Sequence, residues 1–104
     1  MPSSNGPNDQ RIDVPGAGAV TALAYPAAGP RPAPWLVLAH GAGAGQHSAF
    51  MTASARGLAS RGISTVTFNF PYTEHGRRIP DRRPVLDACY TAVIASVRLE
   101  LAGD

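Results

Sequence analysis

The chain reads as an α/β protein, in which an N-terminal hairpin is followed by a parallel strand–helix–strand unit and a C-terminal helix. Three observations carry that reading. Trp35 to Ala39 (WLVLA) is a continuous apolar run of strand length, as expected of a strand covered on both faces of a parallel sheet. Ile63 to Phe70 (ISTVTFNF) alternates and is rich in β-branched and aromatic residues, so it is a second strand. Two other segments, one between these runs and one after them, repeat their apolar residues at helical spacing. A unit of this kind closes by a right-handed crossover, which places the connection after the first strand at the carboxyl end of the sheet, where open α/β sheets bind ligands.

Taken in order, Met1 to Gln10 is rich in Ser, Asn, Gly and Pro and is expected to be a frayed terminus, with one partial domain over residues 11–104. Ile12 to Val14 and Val20 to Tyr25 are short strands, and Pro15 to Gly18 between them is a turn, so they form the hairpin. Pro26 to Pro34 (PAAGPRPAP) is a linker, because its prolines remove donors and fix φ. After the strand Trp35–Ala39 and a glycine-rich loop, Ser48 caps a helix from Ala49 to Arg61. Phe50, Met51, Ala55, Leu58 and Ala59 are its expected apolar side and Gly62 its stop. Pro71 ends the next strand and opens a long polar loop to Pro84, within which Glu74 and Asp81 are expected to form ion pairs with neighbouring arginines, an acid/base pair being the alternative. Leu86, Cys89, Tyr90, Val93, Ile94 and Val97 then mark a helix running to about Leu101, with Cys89 buried on the stripe that covers the sheet. No further strand follows this helix, so the sheet is expected to be incomplete.

Composition removes several function classes. All nine basic residues are arginine, against seven acids, for a net charge of +2. The arginines of the last third are interspersed with acids, so nucleic acid is not an expected partner. The apolar runs are too short to cross a bilayer and the first residues do not form a secretory signal, which makes the cytoplasm the expected location and excludes a membrane partner. A single cysteine cannot form an internal disulfide. The histidines His40, His47 and His75 lack the spacing of a metal site, and neither metal nor cofactor is expected.

The chemistry is concentrated in His40 to Gly45, HGAGAG. A strand that ends in His-Gly and continues with glycine at alternate positions can present bare main-chain N–H groups to a negative charge. The segment is not a dinucleotide fingerprint, because Gln46 or Ser48 occupies the place of the third glycine, and it lacks the Gly-Lys-Ser/Thr ending of a phosphate loop. A tight turn with no chemistry is the remaining alternative to an oxyanion hole. The other half of acyl-transfer chemistry is a nucleophile on a G-x-S-x-G turn with a downstream acid and histidine. No such turn exists in these 104 residues. Ser48, Ser54, Ser60, Ser64 and Ser96 fall on caps or on helix and strand surfaces.

Four segments, VLAHGAGAG at Val37–Gly45, LASRGI at Leu58–Ile63, FNFPY at Phe68–Tyr72 and GRRIPDRRPVL at Gly76–Leu86, occur in order with spacing that resembles the α/β-hydrolase superfamily. The resemblance is to the dienelactone-hydrolase-related branch, which includes bacterial hydrolases, a testis-expressed protein and a subunit of a histone acetyltransferase complex. It implies that Trp35–Ala39 lies beside the nucleophile strand, and that His40, Gly41, Ala42 and Gly43 form part of the oxyanion hole. Ala42 and Gly43 would supply donors, while His40 and Gly41 set the loop. It also implies that the chain is the N-terminal portion of a serine-type hydrolase of small ester or acyl substrates, inactive as it stands and prone to self-association through its open sheet edge. A non-catalytic interaction module derived from the same fold is the alternative.

Overall fold

The computed structural model describes residues 8–29, 34–40 and 45–101. Four strands, β1 (Asn8–Val14), β2 (Gly18–Tyr25), β3 (Trp35–Ala39) and β4 (Ser64–Phe68), form one sheet in the order β1-β2-β4-β3. β1 and β2 are an antiparallel hairpin, β2 pairs antiparallel with β4, and β3 pairs parallel with β4. Helix α1 (Ala49–Ser60) connects β3 to β4. After β4 come a single turn, α2 (Pro71–Glu74), and then α3 (Arg83–Ser96), which continues into a π-helical segment, Val97–Leu101. No described helix is long and apolar enough to cross a membrane.

The strand period of two divides the core between the sheet's faces. Ile12, Val14, Val20, Ala22, Ala24, Val66 and Phe68 point to one side, where Cys89, Val93 and Val97 cover them. These three sit four residues apart, so a single stripe of α3 and its π extension does the covering. On the other side Leu23 and Tyr25 meet Ala55 of α1. β4 lies between the two helices and all five of its residues are buried.

Local chemistry explains the ends of these elements. In the hairpin turn the Ala17 N–H donates to the Val14 carbonyl, and Gly16 and Gly18 take φ of 75° and 81°, a region open to glycine. Ser48 caps α1 as expected, its hydroxyl accepting from the Met51 N–H, and Gly62 takes φ 92° just beyond the helix. The linker is tied back to α1 and β4, since the Ala28 N–H donates to the Ala59 carbonyl and the Ala27 N–H to the Ser64 hydroxyl.

Four expectations need correction. β1 starts at Asn8, within the stretch expected to fray, because the main chain pairs with Ala22 to Ala24 whatever the side chains are. Phe50 is 76% exposed, since the inward stripe of α1 runs through Met51 and Ala55 and Phe50 precedes it by about 100° of helix rotation. β4 ends at Phe68 rather than Phe70: the Asn69 N–H still donates to the Thr21 carbonyl of β2, but the Phe70 N–H turns away to His40. Finally, Pro71 opens a helical turn where a loop was expected, its fixed φ suiting the first position of a helix.

Cys89 is fully buried, and burial, with the nearby charges of Asp81 and Glu74, pushes its thiol up to about 12. At neutral pH it is a protonated small apolar group. Thiol-reagent labelling of the native chain is therefore expected to be far slower than in denaturant. Equal rates in the two states would mean that α3 does not pack on the sheet.

Candidate active site

The carboxyl ends of β3 and β4 lie side by side because these strands are parallel. β3 delivers His40, which is buried. Its Nε2 accepts a hydrogen bond from the Phe70 N–H at 3.2 Å, which requires a lone pair on that nitrogen. The ring is packed edge-on against Phe70 (centroids 5.2 Å apart) and Tyr72 (5.9 Å). Phe68 extends the cluster, meeting Phe70 at 5.0 Å and Tyr90 at 5.3 Å, so the histidine is held on a wall of aromatic edges. Gly41, Ala42 and Gly43 lie outside the described residues.

The chain returns at Gly45, and the contacts there show why this residue is small. A Cβ on Gly45 would stand 3.1 Å from Thr73 Cγ2 and 3.2 Å from Asn69 Oδ1, closer than ordinary contact allows. The next residue, Gln46, has no exposed surface. Its main-chain N–H donates to Asn69 Oδ1 at 3.0 Å, its side-chain Nε2 donates to the Thr21 carbonyl at 2.9 Å, and its Oε1 accepts from the Thr67 hydroxyl at 2.9 Å. One side chain thus joins the loop after β3 to both β2 and β4.

Glu74 closes the network from the other side. Its carboxylate accepts from the Thr21 N–H at 2.9 Å, from the Thr21 hydroxyl at 2.8 Å and from Asn69 Nδ2 at 3.3 Å, with the Arg11 guanidinium at 3.9 Å. Burial raises the pKa of this carboxyl, but the two Thr21 bonds, the Asn69 bond and the Arg11 charge together outweigh burial and hold it below the ordinary value. The expected pairing of Glu74 with neighbouring arginines is thereby corrected: the arginine it meets, Arg11, lies on the hairpin, and of the two loop acids Asp81 is the one that pairs locally, with Arg77 at 3.3 Å. The second oxygen of Asp81 accepts from the Tyr72 N–H at 2.8 Å.

His47 and His75 are exposed, as expected of loop residues. Gln46, Asn69, Thr21, Glu74 and Tyr90 have structural parts that the sequence did not disclose. Only Gln46 carried a signal, a long polar side chain immediately after a run of glycine and alanine. Tyr90 donates to the Val37 carbonyl at 3.0 Å. The Ser64 N–H donates to the Pro34 carbonyl, so by alternation the main-chain groups of Trp35, Val37 and Ala39 point away from β4. The Tyr90 hydroxyl therefore satisfies an outward carbonyl on a strand whose one neighbour, among the described residues, is β4.

Two outcomes are expected from this network. Gln46→Leu leaves the Thr67 hydroxyl and one bond to the Thr21 carbonyl unmade inside the protein, and should cost about 2–4 kcal/mol in denaturant unfolding. For Glu74, the unfolded chain binds the proton more tightly than the folded one. Its contribution is therefore complete above the unfolded-state pKa, and is lost as pH falls through the lower folded-state value. Glu74→Gln should remove that acid-side slope from a stability-against-pH curve, and an unchanged slope would contradict the assignment.

A family model described as an alpha/beta hydrolase domain matches residues 32–103. No curated protein matches the chain in sequence. Among solved structures the chain is similar to XC6422 from Xanthomonas campestris, an α/β serine hydrolase without a lid (TM-score 0.73, 21% identity, covering 100% of this chain and 50% of that one). It is also similar to an α/β serine hydrolase homologue from Coxiella burnetii (TM-score 0.77, 20% identity, 100% of this chain and 50% of that one). Est1E from Butyrivibrio proteoclasticus matches 90% of this chain and 35% of its own (TM-score 0.71, 16% identity). These likenesses concern the fold, and the chain spans half the length of the Xanthomonas and Coxiella proteins. With a family model matched over most of its length, on an open sheet with helices on both faces, the chain belongs to the α/β-hydrolase domain family.

Proposed function

We propose that this chain is the leading half of a serine-type hydrolase of the dienelactone-hydrolase-related branch, acting in its whole form on an ester or related acyl substrate. The observation that carries the proposal is the double anchoring of the loop between β3 and α1. On one side His40 is bonded to Phe70, and on the other Gln46 is bonded to Asn69, Thr21 and Thr67. The residues spanning these anchors, Gly41 to Gly45, carry no side chain larger than a methyl group. In this reading Ala42 and Gly43 offer main-chain donors to the oxyanion of a tetrahedral intermediate, while His40 and Gly41 fix the entry to the loop. Such donors act by being held in place before charge develops, and removing one typically costs about 10²–10³ in turnover.

The 104 residues hold no G-x-S-x-G turn, so the proposal assigns the nucleophile to none of their serines. Among the described residues, the outward main-chain groups of Trp35 and Ala39 and the Val37 N–H offer an edge to the strand that would bear it, the Val37 carbonyl being held by Tyr90. Without such a strand, that edge favours pairing with a second copy of the chain. A non-catalytic interaction module is the alternative that this same edge supports.

Complementation separates the readings. Alone, the chain is expected to elute larger than a monomer and to show no hydrolysis of p-nitrophenyl acetate above buffer. Mixed with the C-terminal half of a related hydrolase that carries the elbow serine, acid and histidine, it should become a one-to-one complex with esterase activity. Gly43→Val in that complex should cut turnover by about 10²-fold. An assembled complex without activity would favour the interaction module, and activity of the chain alone, abolished by mutating one of its own serines, would overturn the proposal.

A further inference from the structure

We propose that the loop between α2 and α3 is a binding site for a phosphate monoester carried on an apolar group. The loop surrounds an open cavity of about 680 Å³. Ile79, Pro80 and Val85 provide an apolar lining, and Ile79 is 81% exposed, which costs free energy in water unless something covers it. Arg77, Arg78 and Arg82 line the same cavity.

The three guanidiniums are not equivalent. Arg77 is paired with Asp81, whose other oxygen accepts from the Tyr72 N–H. Arg83, on the adjoining helix, pairs with Asp87 at 3.8 Å. The guanidiniums of Arg78 and Arg82 have no hydrogen-bond or ion-pair partner among the described residues, so the cavity carries two uncompensated positive charges beside an apolar surface. A phosphate monoester carries about −1.5 to −2 at pH 7 and three acceptor oxygens, which matches two guanidiniums in charge and in donor geometry. A monocarboxylate would leave one of them unmatched.

The loop's bracing gives this site a fixed place. The Arg77 N–H donates to the Tyr72 carbonyl at 2.8 Å, and Asp81 holds the Tyr72 N–H, so both ends of the cavity-lining stretch hang on Tyr72. The Tyr72 ring is packed against His40. A phosphate held here would lie one side chain from the wall that supports the β3–α1 loop, suited to anchor the far end of an acyl substrate. That last role rests on the hydrolase reading, whereas the binding itself requires no turnover.

Titration of the full chain with phenyl phosphate, followed by NMR shifts of the arginine Nε–H groups and of the Ile79 and Val85 methyls, tests the proposal. Saturable shifts confined to Arg78, Arg82, Ile79 and Val85 are expected. Phenol should produce none, and benzoate and inorganic phosphate should each bind at least about tenfold more weakly. Arg78→Ala and Arg82→Gln, both at exposed positions, should each weaken phenyl phosphate about tenfold with the rest of the spectrum unchanged. Arg98→Ala should leave the affinity as it is. Benzoate binding as tightly as phenyl phosphate, shifts spread equally over Arg11, Arg56 and Arg98, or an equal loss in Arg98→Ala would each overturn the site. Absence of binding refutes this proposal and leaves the hydrolase reading standing, whereas absence of turnover in the complemented enzyme does the reverse.

Discussion

A buried amide has to find partners for both its oxygen and its nitrogen, and the carboxyl end of this sheet is arranged around one that does. Gln46 has no contact with solvent, yet its main-chain N–H and both side-chain polar atoms are bonded. Its three partners, Asn69, Thr21 and Thr67, come from the end of β4, from β2 and from β4 itself. Leaving any of these groups unpaired would cost more than the bond itself contributes, so the position of the loop after β3 is set by the satisfaction of polar groups as much as by apolar packing. Among the described residues, every buried polar side-chain atom has a partner. The rule extends to Glu74, whose three bonds to Thr21 and Asn69 let a carboxylate sit at 15% side-chain exposure and remain charged.

This arrangement explains the polar content of β4. Ser64, Thr65 and Thr67 are buried where a central strand usually carries aliphatic residues. Each hydroxyl has a specific partner: Ser64 receives the linker N–H of Ala27, Thr65 donates to the Ile63 carbonyl, and Thr67 donates to Gln46. β4 is therefore both the centre of the sheet and the frame to which the linker before β3 and the loop after it are fastened. Val66 and Phe68, which alternate with Thr65 and Thr67, face α3 on the other side of the sheet. From Thr65 to Phe68, polar side chains on one face thus alternate with apolar ones on the other.

The edge of the sheet follows a different rule. β3 is short and uncharged, among the described residues it pairs with β4 alone, and an outward carbonyl on its other side is met by a tyrosine hydroxyl from α3. A side chain can meet one such group, whereas a neighbouring strand would meet the whole row. Among the described residues the protection of β3 is thus partial.

The hairpin, the strand–helix–strand unit, the Ser48 cap, the Gly62 stop and the burial of Cys89 were legible in the sequence, because each depends on groups within a few residues of one another or on a period that only one element can have. Tertiary structure alone decided the rest. Phe50 shares the helical pattern of α1 yet faces solvent, because the register of the buried stripe is set by what the helix meets. Phe70 continues the strand pattern of β4 but leaves it, because its N–H turns to His40. Thr21 and Arg11, two of the partners of Glu74, lie on a hairpin more than fifty residues earlier, and no local rule connects them to it. Local propensity determines which segments become strands and helices. The pairing of buried polar atoms distant in sequence determines where those segments end and what they hold in place.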